Sequence, residues 1–426
     1  MPTHNRWVIA AAGVLMQIAL GAVYAWSVFR IPLTRSFGWT ISEVTLTFTI
    51  AIFVLGLAAF GGGLWMRRAG PRTVALTAGV LYGLGVFLAS FAGGRLWWLY
   101  CSYGVIAGVG LGLGYIVPVA TLVKWFPDKR GLITGLAVAG FGAGALITAP
   151  IATRLIAEVG VLRTFAILGV AYFVAVTGGA LFMRNPPDGY RPAGWTPTAR
   201  RRAEDGLKQA DVGDGLEAVP SAEYTLPDAL RSWQWYALWT LLFLNTTAGI
   251  AVISQAAPMF QEITSISAAR AASIVGIISI ANGVGRLLWA WLSDLVGRRP
   301  VFLAMFVLQA IIFWLLPSAH SLSLFAALTV VVLLCYGGGF GTMPAFAADY
   351  FGTAHVGSIY GLMLTAWGVA GVLGPTVMAA LRERSGHYDD GLRLIAGLML
   401  VSAVIPLLVR PPKAVDVAAA AKGRQG

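Results

Sequence analysis

Ile274-Val-Gly-Ile-Ile-Ser-Ile-Ala-Asn282-Gly-Val-Gly-Arg286-Leu-Leu-Trp-Ala-Trp-Leu292 is long and apolar enough to cross a bilayer as a helix, yet it carries an arginine well inside it. A guanidinium stays protonated at physiological pH. At mid-membrane it costs about 2.5–3.5 kcal/mol on insertion scales. No acid follows in the chain until Asp294, about two helical turns further on. A charge so placed faces protein or water, and an anion is its natural guest. A structural arginine bonded to neighbouring carbonyls is the alternative reading.

The rest of the chain has the same character. Of 426 residues, 58% are hydrophobic and 11% charged, against about 25% charged in a soluble domain. Whole segments are apolar rather than alternating, so the spans are helices, not barrel strands. The net charge of +12 does not imply nucleic acid, because the basic residues sit in short connectors, where they set membrane topology. Cys101 and Cys335 fall inside apolar segments and read as small core residues rather than a disulfide. The first apolar segment, Trp7 to Phe29, is too long for a signal-peptide core and reads as a retained helix.

The pattern predicts an all-α membrane protein of twelve transmembrane helices, near 7–29, 42–66, 73–92, 96–123, 131–157, 162–183, 233–259, 266–292, 300–317, 321–347, 355–381 and 390–409. They divide into a first six-helix bundle (1–183), a hydrophilic linker (184–232), a second bundle (233–410) and a tail (411–426). The linker carries Arg200-Arg-Arg202, then turns acidic and weakly structured. It ends in a short interfacial helix that Thr225 caps, with Asp228 three residues on. Lysine and arginine are more numerous on the side holding the N-terminus, the linker and the C-terminus. That puts both termini, linker and tail in the cytoplasm.

The two halves repeat. Arg67-Arg-Ala-Gly70-Pro-Arg72 matches Asp294-Leu-Val-Gly297-Arg-Arg299, and Pro118 matches Pro344. Gly131 and Gly135 match Gly357 and Gly361, and Phe141 matches Trp367. Parallel six-helix repeats place a substrate between the halves near mid-membrane and let it through by rocking. Twelve helices, a central linker and the Gly-Arg-Arg connector resemble the major facilitator superfamily over essentially the whole chain. The aspartate of that connector is kept at Asp294 and replaced by Arg67 in the first half. Gly21-Ala-Val-Tyr24-Ala-Trp26-Ser-Val-Phe29 and Gly38-Trp-Thr-Ile-Ser42 resemble the oxalate/formate antiporter family, close to the monocarboxylate transporters. Both families carry an arginine on the eighth helix that binds the substrate carboxylate, and the resemblance assigns that role to Arg286. A carboxylate suits the guanidinium fork.

Asn282 lies one turn before Arg286 on the same helical face. It is able to accept from the guanidinium or donate to a substrate hydroxyl. Many animal monocarboxylate transporters resemble this face but carry an aspartate linked to proton coupling, and an asparagine carries no proton. The acids Glu43, Asp128, Glu158, Glu262, Asp294, Asp349 and Glu383 all read as helix-end or connector residues. On the eleventh helix, oxalate exchangers have a lysine where the run Leu364-Thr-Ala-Trp367 has tryptophan. The resemblance therefore implies one carboxylate, with Trp367 over the apolar end of a small acid; packing alone is its other reading. Helices 1, 4, 7 and 10 line the cavity in the superfamily. That makes Tyr24 and Gln17, Tyr115, Asn245 and Gln255, and Tyr336 and Phe340 candidate lining residues, with Phe141 beside them. Tyr336 and Tyr115 are the preferred hydroxyl donors, and each of these side chains also reads as core.

No phosphate-cradling Gly-x-x-x-x-Gly-Lys run and no His-Glu-x-x-His is present, and His4, His320, His355 and His387 are scattered. The expectation is a transporter rather than an enzyme, with no metal and no cofactor. Its substrate is a small monocarboxylate of lactate or pyruvate size, moved with a proton by alternating access. It works as a monomer among the lipids of a bacterial-type inner membrane. The rival readings are formate/oxalate-type exchange and a carboxylate receptor that does not transport.

Overall fold

The computed structural model describes residues 5–187, 189–192, 223–266 and 268–412, and all regular structure among them is helical. In chain order the membrane helices are α1 (Arg6–Phe37), α2 (41–69), α3 (71–89), α4 (Leu96–Trp125), α5 (Arg130–Val159) and α6 (Val161–Ala180). The second set is α7 (Trp233–Thr264), α8 (Ala268–Val296), α9 (Arg298–Ser318), α10 (Leu322–Phe351), α11 (Val356–Ser385) and α12 (Asp389–Leu408). Ten stretches among the described residues are long and apolar enough to cross a membrane. One of them breaks into α2 and α3, and the 29-residue α8 joins them. The described residues thus hold a helix at each of the twelve expected places. Leu57, Trp97, Phe173, Trp314, Leu400 and Val401 point outward and are exposed, as a lipid-facing surface requires.

The breaks follow the sequence. Gly70 (φ +78°, ψ 163°) turns α2 into α3, and Gly297 (φ +94°, ψ 159°) turns α8 into α9. Both conformations strain any residue with a Cβ, and they occupy the matched positions of the two repeats. Thr225 caps the short helix Leu226–Arg231 and Asp228 returns the bond, a capping box as expected. Just before it, the Tyr224 amide donates to Phe351 O at 3.0 Å. The Glu223 carboxylate accepts the Thr353 and Ala354 amides at 3.3 and 2.8 Å. The end of the connection thereby docks on the α10–α11 turn. Most of the expected linker, with Arg200-Arg-Arg202, and nearly all of the expected tail lie outside the described residues.

The halves meet through two related contacts. A Cβ on Gly63 of α2 would stand 2.1 Å from the Gly357 carbonyl oxygen of α11. A Cβ on Gly131 of α5 would stand 2.2 Å from the Ala290 oxygen of α8. Gly63 and Ala290 are repeat mates, as are Gly131 and Gly357, so the two crossings are one contact used twice.

Two readings need correction. Cys335 is buried, but Cys101 is exposed, because it sits on the outward face of α4, where an apolar residue meets lipid rather than core. Regular helical spacing would put Gln17, Gly21 and Tyr24 on one face of the first helix, but the helix is not regular there. Residues Gly21–Ala25 form a 3-10 turn inside α1, which re-phases Tyr24 relative to Gln17.

Candidate functional site

Arg286 is fully buried. Small residues on the neighbouring helix put it there. A Cβ on Gly337 would lie 2.0 Å from Asn282 O, and one on Gly341 would lie 2.0 Å from Arg286 O. Two glycines one turn apart on α10 thus press against two residues one turn apart on α8, fixing the register between them.

Among the described residues the guanidinium makes three hydrogen bonds: to Val138 O of α5 at 3.2 Å, to Asn282 Oδ1 at 3.4 Å and to Tyr24 Oη at 3.5 Å. All are longer than the usual ~2.9–3.0 Å, all go to neutral oxygens, and they do not use all five N–H donors. Among the described residues no carboxylate pairs with it. The guanidinium carbon lies 5.2 Å from the Phe340 ring, 5.9 Å from Phe141 and 6.0 Å from Tyr24, so the ring faces supply part of its solvation.

Trp367 closes the same cluster. Its ring lies 4.9 Å from Phe340, 5.8 Å from Tyr115, 5.9 Å from Phe141 and 6.3 Å from Tyr24. Phe141 and Trp367, repeat mates in the sequence, touch across the interface between the halves. Tyr115 meets Phe141 at 5.2 Å, Tyr336 meets Phe340 at 5.4 Å, and the Tyr336 hydroxyl lies beside that of Tyr24. The structure therefore brings together Arg286, Asn282, Tyr24, Tyr115, Phe141, Tyr336, Phe340 and Trp367.

Three expected residues bond outside this cluster of side chains. Gln17 donates to the Tyr115 carbonyl at 3.2 Å, one step behind the ring wall. Asn245 donates to the Tyr336 carbonyl and accepts from Gln309, both at 3.1 Å, which ties α7 to α10 and α9. Gln255 accepts from Tyr388 at 3.2 Å, near the far end of α7. Two participants escaped the sequence reading. The Val138 carbonyl has no side-chain signature at all. Tyr360 of α11, buried with its hydroxyl beside that of Tyr115, sits two turns from Trp367, a spacing that could have drawn attention to it.

One end of the site is locked. Asp294 accepts the Gly131 and Leu132 amides, each at 2.8 Å. It also pairs with Arg298 at 2.7 Å. Asp349 of α10 binds Arg130 of α5 at 2.7 Å and Arg298 of α9 at 2.8 Å. This network joins the halves on the side of the short basic connectors. Toward the other side Tyr24 keeps partial exposure. A surface groove of about 520 Å³ runs along Gly61, Leu64, Trp65, Arg67 and Arg68, away from Arg286, so it is not the site.

A sealed polar centre between two six-helix halves, inside an apolar shell, is the architecture of a multi-pass membrane transporter. The chain belongs to the Major Facilitator Superfamily, whose family profile matches residues 9–279 and 238–425. It is a transporter and not an enzyme. It is 26% identical over 417 residues to the oxalate:formate antiporter of Oxalobacter formigenes, covering 96% of this chain and 94% of that one. It is 28% identical over 400 residues to apicoplast pyruvate carrier 1 of Toxoplasma gondii, covering 82% and 71%. Its fold is similar to that of the fucose:proton symporter of Escherichia coli, with a TM-score of 0.68 at 15% identity over 95% and 99% of the two chains.

Proposed function

We propose that this chain carries a small monocarboxylate across a bacterial inner membrane by alternating access, as a monomer, with both termini in the cytoplasm and the substrate carboxylate on Arg286. The single observation that carries this is a guanidinium wholly buried at the contact of the two halves, held by neutral oxygens and aromatic faces and paired with no acid among the described residues. A carboxylate would supply two short charge-assisted bonds in place of three long ones. It would also cancel the charge that opposes closure of the halves. The likeness to an oxalate:formate antiporter and a pyruvate carrier supports an organic acid as the cargo.

In this reading the acid enters on the Tyr24 side, displaces the guanidinium from its long contacts, and draws α1, α5, α8, α10 and α11 around it. The Asp294 and Asp349 network then opens and the acid leaves toward the basic connectors. An uncompensated anion would feel about 2.3 kcal/mol per 100 mV of membrane potential. Net uptake therefore moves a proton with it. Exchange of one anion for another is the second reading, favoured by the likeness to the oxalate:formate antiporter. The tryptophan at 367 argues against a dicarboxylate in that exchange.

Uptake of labelled lactate, pyruvate, formate and oxalate into proteoliposomes, with and without an imposed proton gradient, tests the proposal. Gradient-driven uptake of the monocarboxylates is expected. Counterflow that ignores the gradient would establish exchange. Arg286→Ala should lose binding as well as transport, and Arg286→Lys should be poor because an ammonium lacks the fork. Wild-type affinity in Arg286→Ala would overturn the assignment.

A further inference from the structure

The groove remote from Arg286, lined by Gly61, Leu64, Trp65, Arg67 and Arg68, has a helical logic of its own. Residues 61, 64, 65 and 68 follow the i, i+3, i+4, i+7 spacing, so they form one stripe along α2. Gly62 packs toward α4, where a Cβ would stand 2.9 Å from the Leu113 side chain, and Gly63 packs on α11. The stripe faces away from both. Gly61 has open space where a Cβ would go, which makes a notch. Leu64 and Trp65 are 39% and 38% exposed. Both arginines are exposed, and among the described residues neither pairs with a carboxylate. From the notch to Arg68 the stripe runs about 10 Å along the helix. The other repeat has no such stripe. The mates of Gly61, Trp65, Arg67 and Arg68 are Leu288, Leu292, Asp294 and Leu295, so α8 has neither the notch nor the two cations.

We propose that this groove seats one anionic phospholipid, with an acyl chain in the notch at Gly61 and the headgroup phosphate on Arg68 and Arg67. An apolar notch, then an indole, then two cations at the connector end is the order in which a lipid presents chain, interface and phosphate to a membrane helix. The guanidinium forks suit phosphate oxygens. A soluble anion would leave Leu64 and Trp65 uncovered, and a zwitterionic lipid brings its own cation against the arginines. The place matters as much as the chemistry. Arg67 lies on the α11 side of the stripe, close enough to Lys124 of α4 and His355 of α11 to repel both. At the related crossing Asp294 supplies a negative charge and accepts the first amides of α5. The lipid phosphate brings to the first half the negative charge that Arg67 has displaced from its sequence. It does so beside the contact of Gly63 with Gly357, where the halves meet. The bound lipid therefore favours the arrangement in which that crossing is closed.

The test is thermal melting of the purified full chain in detergent, titrated with dioleoyl phosphatidylglycerol, dioleoyl phosphatidylcholine or inorganic phosphate. Phosphatidylglycerol should raise the melting temperature saturably, by a few degrees. The other two should need roughly ten-fold higher concentration or do nothing. Arg68→Gln should raise the half-maximal phosphatidylglycerol concentration several-fold, and Arg67→Gln added to it should take the loss to about ten-fold or more. Gly61→Leu keeps both charges and fills the notch, and it should weaken the same lipid several-fold. Arg72 is exposed just past the break at Gly70, so Arg72→Gln removes a nearby charge outside the groove and should change nothing. Each variant's own melt without lipid is its reference, so a general loss of stability does not pass for loss of the lipid. Equal response to the two lipids would overturn the proposal. So would a loss in Arg72→Gln as large as that in Arg68→Gln, which would mean diffuse attraction to a basic surface. A shift reproduced by inorganic phosphate would replace the lipid by a soluble anion, and full affinity in Gly61→Leu would empty the notch of its chain.

Discussion

The carboxylate of Asp294 on α8 accepts the amide of Gly131 on α5 at 2.8 Å, joining the two halves of the chain at the first turn of a helix. A second bond to the Leu132 amide makes this an anion seated on a helix N-terminus, where free amides and the helix dipole both favour it. Gly131 permits it, since a Cβ there would stand 2.6 Å from the same carboxylate oxygen. Asp294→Asn removes the charge and offers one acceptor for two donors. The loss should be about 1–3 kcal/mol, which drains the locked state by several-fold to about a hundred-fold. A cysteine at buried Ala137, in a background with Cys101 and Cys335 replaced, should then react faster with an impermeant thiol reagent added from the connector side. Unchanged labelling would show that Asp294 does not hold the halves together.

The related contact lacks this lock. Where the second repeat has Asp294 the first has Arg67, and among the described residues no carboxylate bonds the first amides of α11; Glu223 holds the Thr353 and Ala354 amides of the turn before it. Arg67 lies instead close enough to Lys124 and His355 to repel both. Arg67→Asp should seat an anion on the first turn of α11 and relieve that repulsion. The expected result is a higher melting temperature in detergent, by a few degrees, together with slower transport, because an over-stabilised lock opens less often. A lower melting temperature would show that Arg67 holds a partner which matters more.

Much of this was legible in the residues. Gly70 and Gly297 announced the repeat, and both turn out to hold the backbone conformation that demands glycine. Asn282 and Arg286 share a face by simple helical spacing, and they bond. The polar residues of α7 were harder. A polar side chain in a membrane helix says that it faces protein, but not which protein surface it faces. Asn245 and Gln255 bond to neighbours inside the second half. The Val138 carbonyl could not be foreseen, because backbone oxygens leave no trace in sequence. Tyr24 was found by resemblance, yet its orientation depends on a 3-10 turn that periodicity alone does not reveal.

His355 sits at the start of α11 with Nδ1 buried and unpartnered. Burial, and then the nearby Arg67 and Lys124, hold its imidazole below its ordinary value, while Glu223 and Asp228 pull the other way. The neutral form is therefore the one the fold favours. Its contribution to stability is complete above about pH 6.5, the ordinary value, and declines as pH falls from there through the lowered value. Melting temperature measured between about pH 7.5 and 5 should fall less steeply in His355→Gln than in the wild type. Coincident slopes would place the pH sensitivity elsewhere.

Gly21 sets the distance between α1 and α5, and through it the geometry around Arg286. A Cβ there would stand 1.8 Å from Phe141 O and 2.6 Å from its carbonyl carbon. Both are backbone atoms, so no rotamer change relieves the clash, and the helices must part. Parting them pulls Phe141 from Tyr24, now 5.2 Å apart, and shifts Val138 away from the guanidinium it accepts. Gly21→Ala should therefore cost more than the ~1–3 kcal/mol of ordinary overpacking, and should lose transport along with thermal stability. Gly178 on α6 has open space where a Cβ would go, so Gly178→Ala isolates the effect of adding a methyl group to a membrane helix. It should melt at or slightly above the wild-type temperature, with uptake intact. If the two variants behave alike, the close contact of α1 with α5 is not what shapes the site.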